Sequence, residues 1–199
     1  MAEPLNIPQL VARAITDPRG AFHQVQGLGL DRASMWQILV LFTLGRVLLI
    51  GLFDGGRYLI PLGTTPVLVS PFTYTMVLIS GFVVMVFLVH YTGRAMGGKG
   101  TFKGSLVVAL LLEGLALVLV LLQLLLGLFL PALVGIISLL SLPVMLYCAL
   151  SYIDELHEFG SMLKALGMIV LAVIGLSLGI TMFMSLIGAG SGFTGLEGV

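Results

Sequence analysis

Residues Gly104 to Leu130 read GSLVVALLLEGLALVLVLLQLLLGLFL, an apolar run broken only by Glu113 and Gln123. At about 1.5 Å of rise per residue this run is longer than the roughly 30 Å hydrocarbon core of a bilayer. It predicts a membrane span, and it places a carboxylate, Glu113, inside or at the edge of that span. Such a group is expensive in hydrocarbon and calls for a partner. The only cation in a comparable position is Arg46.

The rest of the chain agrees with this reading. Apolar residues make up 59% of 199 and charged residues 9%, with a mean hydropathy of +1.18. A soluble domain of this size cannot hide so much apolar surface in one core, so a polytopic integral membrane protein is predicted. Nine Lys plus Arg balance nine Asp plus Glu. No basic block stands out, which excludes a nucleic-acid partner. The single cysteine, Cys148, excludes an internal disulfide or a cysteine metal cage. The N-terminus lacks the basic start, apolar middle and small-residue cleavage site of a secretory signal, so the first span is expected to direct insertion.

An all-α bundle of five spans is predicted, at about 35–53, 69–91, 105–130, 131–152 and 162–187. Residues 1–34 form a cytoplasmic or interfacial segment, and 188–199 a flexible tail. In the first segment Ile7, Leu10, Val11, Ala14 and Ile15 repeat with helical spacing behind Asn6 and Pro8, giving a short amphipathic helix that Asp17-Pro18 ends. RGAFHQV offers a second. Each is too short to span and is expected on the membrane surface or against the bundle; a frayed terminus is the alternative. FDGGRYLIPLGTTP reads as a loop of turn residues, Pro131 as a tight return, and Pro143 as a kink in the fourth span.

Five spans put the termini on opposite sides. With the N-terminus cytoplasmic, Arg13, Arg19, Arg32, Arg94, Lys99, Lys103 and Lys164 lie inside and only Arg57 outside, which satisfies the positive-inside rule. Trp36, Tyr91 and Tyr152 then fall at the inner interface, Tyr58 and Tyr74 at the outer. On this topology Arg46 lies roughly 16 Å past Met35 and Glu113 roughly 12 Å past Ser105. Each unpaired charge at mid-bilayer costs about 2.5–3.5 kcal/mol, so an intramembrane ion pair tying span one to span three is expected. A competing reading starts the third span at Gly114, leaving Glu113 interfacial and Arg46 snorkelling.

Asp154, His157 and Glu158 would share a face if the fourth helix continues, the spacing of metal ligands. With no second ligand cluster they read as solvated loop residues, and no metal or cofactor is assigned. His90 reads as an interfacial histidine. No Ser-His-Asp order, HExxH or phosphate loop is present, so no enzyme is predicted. GGKG before the third span reads as a flexible connector. There Arg94, Lys99 and Lys103 offer contacts to anionic lipid. Ala172, Gly175 and Gly179 have the spacing of a helix-packing face, against another span or a second copy.

DPRGAFHQV ahead of the first span, GGKGTFKGSL leading into the third, the proline-bearing fourth span and LHEFGSMLKAL leading into the fifth together resemble the Yip1-domain family. FKGSL and FGSMLKAL both introduce a span from the same side. The resemblance implies a non-enzymatic polytopic membrane protein; eukaryotic members act in vesicle trafficking and bind small GTPases and each other. The Asp-Leu-Tyr-Gly-Pro signature of those members is absent here, so GTPase binding does not carry over. The chain is more similar to compact prokaryotic members, which implies a bacterial cytoplasmic membrane. The expected function is a scaffold, assembly or membrane-organising factor acting by lateral helix and lipid contacts, alone, as a homo-oligomer or with another membrane protein. The alternative is a small transporter or channel for an ion, lipid or small solute, using Arg46 and Glu113.

Overall fold

A computed structural model describes residues 6–62 and 65–191. In chain order the elements are α1 (Ile7–Thr16), α2 (Pro18–Gly27), α3 (Arg32–Phe53), β1 (Tyr58–Leu62), β2 (Thr65–Val69), α4 (Pro71–Ala95), α5 (Phe102–Phe129), α6 (Pro131–His157) and α7 (Met162–Ser191). The helices α3 to α7 are each long and apolar enough to cross a membrane. The chain is an all-α polytopic bundle with a small hairpin at one end and α1 and α2 at the other.

Side-chain caps set the first boundaries. Asn6 accepts from Gln9 N at 3.2 Å and opens α1; Asp17 ends it and opens α2 by accepting from Gly20 N at 3.0 Å. Pro18 has no N–H, so the carbonyl of Ala14, four residues earlier, has no helical donor. The Tyr152 hydroxyl, at 3.0 Å, and the Cys148 thiol, at 3.2 Å, donate to it from α6. One missing amide thus becomes the joint between α1 and the bundle. Ala21, Phe22 and Val25 of α2 are buried against it as well.

α5 is the hub. Residues Gly104 to Leu111 are buried without a break, and α5 packs against α1, α2, α3, α4 and α6. α7 is peripheral and packs on α4 and α6. The first half of the long apolar run is therefore the core of the bundle, and the whole run is long and apolar enough to span.

Several boundaries differ from expectation. Asp31 accepts from Ala33 N and Ser34 N, so α3 starts at Arg32. Bonds from Ser34 hold the Asp31 carboxyl below the usual carboxylate range. Thr101 Oγ1 accepts from Gly104 N at 3.0 Å and starts α5 at Phe102. α6 runs through Pro143 and past Tyr152 to His157. α7 extends to Ser191, so residues 188–191 are helical, and the rest of the expected tail lies outside the described residues.

The segment expected as a plain loop contains the hairpin, with Tyr58 paired to Val69, Ile60 to Val67 and Pro61 to Pro66. Its anchor is Tyr58, whose hydroxyl donates to Val47 O at 3.1 Å over Gly51, where a Cβ would overlap the phenol. Tyr58 and Tyr152, expected as interfacial aromatics, are both turned inward and buried.

Candidate functional site

The structure brings Arg46 and Glu113 together. Arg46 sits on α3 and Glu113 on α5, with Nε 2.8 Å from Oε1. Glu113 is 1% exposed and the Arg46 side chain 16%. The guanidinium also lies 6.0 Å from the centroid of Phe82 on α4, so one side chain contacts two neighbouring spans. Away from the helix ends these are the only charged residues in the five spans.

A second polar cluster closes the α2 end. Arg19 reaches Asp154 at 2.6 Å and Glu155 at 3.5 Å, and His23 Nε2 lies 2.7 Å from Glu155 Oε1. Asp154 Oδ1 also accepts from Ser161 N at 2.8 Å, just before α7. α6 ends in a Schellman turn: Phe159 N bonds Asp154 O, and Glu158 takes φ 54°, the left-handed region. That turn moves Glu158 off the helical face on which it was expected to join Asp154 and His157. Glu158 pairs instead with exposed Lys99 at 2.8 Å, which raises the Lys99 pKa above the ordinary lysine value.

His157 itself is buried. Its Nε2 lies 3.0 Å from Val89 O, and its Nδ1 accepts from Gly100 N at 3.2 Å, which assigns the ring proton to Nε2. A Cβ on Gly93, Gly98 or Gly100 would overlap the imidazole, and Phe159 stacks on it at 5.3 Å. Gly97, at φ 85°, completes a Schellman turn with Gly98 N bonding Gly93 O at 2.8 Å. The GGKG connector expected to be flexible is therefore packed, because its small residues let backbone close on a ring. Among the described residues no group of three potential ligands is arranged to hold a metal ion.

Of the other expected contact residues, Lys99 is paired, whereas Arg94 and Lys103 form no ion pair among the described residues. Ala172 is buried, but a Cβ on Gly175 or Gly179 would meet no atom within 4 Å, so that part of the small-residue face is uncovered among the described residues. His90 lies against Tyr91 and Phe102, with Nδ1 buried and unpartnered among the described residues. The His157 cradle and the Ala14 joint were missed in the sequence. Their signals were three closely spaced glycines in a connector and a proline four residues beyond Ala14.

Among the described residues, clefts open on the flanks of the bundle. One, of about 370 Å³, lies between α1, α3 and α5, with Leu10, Phe42 and Leu111 among its walls. The other, of about 450 Å³, is walled chiefly by α4 and α7 and floored by α5 and α6. Ser80 carries the only side-chain hydroxyl among their lining residues, and none of these residues is charged.

Five long apolar helices, two of them joined by a buried ion pair, define the class: a polytopic α-helical integral membrane protein. Residues 12–184 match the Yip1 domain, and the chain belongs to the Yip1-domain family. Neither the curated proteins nor the solved structures yield a match.

Proposed function

We propose that the protein is a non-enzymatic membrane organiser, acting through lateral contacts with lipid and with other membrane helices, and that Arg46 and Glu113 hold its spans together and carry no cargo. The observation that carries this reading is the character of the clefts, which are apolar and open on the flanks. A route for an ion or polar solute needs polar groups along it. The two intramembrane charges instead satisfy each other on the α3–α5 seam. The basic residues at the α2 end support a cytoplasmic placement of that end in a bacterial inner membrane.

The test is a permeability panel on sealed vesicles containing the purified protein, covering protons, potassium, chloride and small zwitterions. The expected result is permeability equal to that of protein-free vesicles for every solute. A solute that crosses with the natural sequence but not with Glu113→Gln would overturn the proposal in favour of transport.

A further inference from the structure

We infer that the α4–α7 cleft seats one acyl chain of an anionic phospholipid, with the phosphate held by Arg94 and Lys164 at the α2 end; this deepens the lipid-contact part of the proposed function and rests on it. The cleft has the dimensions of a chain. Its lining runs from Met168 to Ile180 on α7, roughly 18 Å of helix, and from Ser80 to Val89 on α4. One leaflet is about 15 Å deep, half of the hydrocarbon core. Spread over that length, about 450 Å³ makes a slot narrower than a helix, which is about 10–12 Å across with its side chains. Water finds too few polar partners there.

Charge selects the head group. Arg94 lies five residues past Val89 on α4, and Lys164 four before Met168 on α7, so both stand beyond the same end of the cleft. Both are exposed, and neither has an ion-pair partner among the described residues. The neighbouring acids are committed elsewhere: Asp154 to Arg19, Glu155 to Arg19 and His23, Glu158 to Lys99. The N-terminus of α7 adds its partial positive charge at this end. An apolar slot one leaflet deep below two exposed cations complements an anionic lipid better than a zwitterionic one.

The test uses the full chain in phosphatidylcholine bilayer discs doped with phosphatidylglycerol carrying a mid-chain diazirine. Adducts formed on irradiation are located by mass spectrometry. Labelling is expected to concentrate on Met85, Met168 and Ala172, above Leu171 and Leu178, which are 48% and 66% exposed on the outer face of α7. Unlabelled phosphatidylglycerol should compete and phosphatidylcholine should not. The double variant Arg94→Gln with Lys164→Gln, confined to exposed positions, should lower cleft labelling at least five-fold while labelling of Leu178 is unchanged. Labelling that follows exposure alone, equal labelling by the phosphatidylcholine probe, or indifference to the double variant would overturn the inference. Any of these would leave the vesicle-permeability result standing.

Discussion

Removing one member of the Arg46–Glu113 pair is predicted to destabilise the bundle far more than removing both. Glu113 is 1% exposed, so replacing Arg46 by Met strands a carboxylate where no water reaches it. Replacing Glu113 by Leu strands a guanidinium that cannot lose its proton and keeps only the face of Phe82. Breaking a buried pair from one side costs about 3–5 kcal/mol, whereas exchanging the whole pair for apolar side chains is neutral or stabilising. For a chain of this size about 2–4 °C of melting temperature corresponds to 1 kcal/mol. Each single variant should therefore melt roughly 6–20 °C below the natural protein in the same detergent. Arg46→Met with Glu113→Leu should melt close to it. Thermal unfolding followed by helical circular dichroism gives all four corners of the cycle. If the double variant loses the sum of the two single losses, the residues do not act as a pair and the reasoning fails.

Gly100→Ala pushes a methyl into the His157 ring and should cost about 1–3 kcal/mol, as overpacking does, seen as a lowered melting temperature; an unchanged melt would remove the glycine cradle from the account. Tyr152→Phe combined with Cys148→Ala leaves the Ala14 carbonyl buried without a donor, and should cost about 1–3 kcal/mol and speed amide exchange in α1. Glu158→Gly relieves a left-handed backbone at the loss of an exposed ion pair, and should stabilise by about 1 kcal/mol in denaturant titration.

The spans were legible because each apolar run outlasts the bilayer. α1 and α2 were legible because Asn6, Pro8 and Asp17-Pro18 are helix signals in themselves. The depths of Arg46 and Glu113 follow from helical rise alone, and the structure places their side chains in hydrogen-bond contact. What could not be read depends on partners distant in the chain. Pro61 and Pro66 argue against strands, and the hairpin forms because Tyr58 finds the gap above Gly51. Gly93, Gly98 and Gly100 look like flexibility until His157, more than fifty residues away, fills the space they leave. Glu158 could be placed on a helical face only by assuming that α6 continues, and the turn that ends α6 has a glutamate, not a glycine, at its left-handed position.

Membrane organisation is tested most directly by native mass spectrometry of the protein released gently from its own membrane, recording protein partners, copy number and bound lipid together. A membrane organiser predicts a defined partner or stable homo-oligomer carrying phospholipid, whose composition persists when Arg46 and Glu113 are replaced together by Met and Leu. A monomer carrying one stoichiometric small solute, lost on Glu113→Gln, would contradict it.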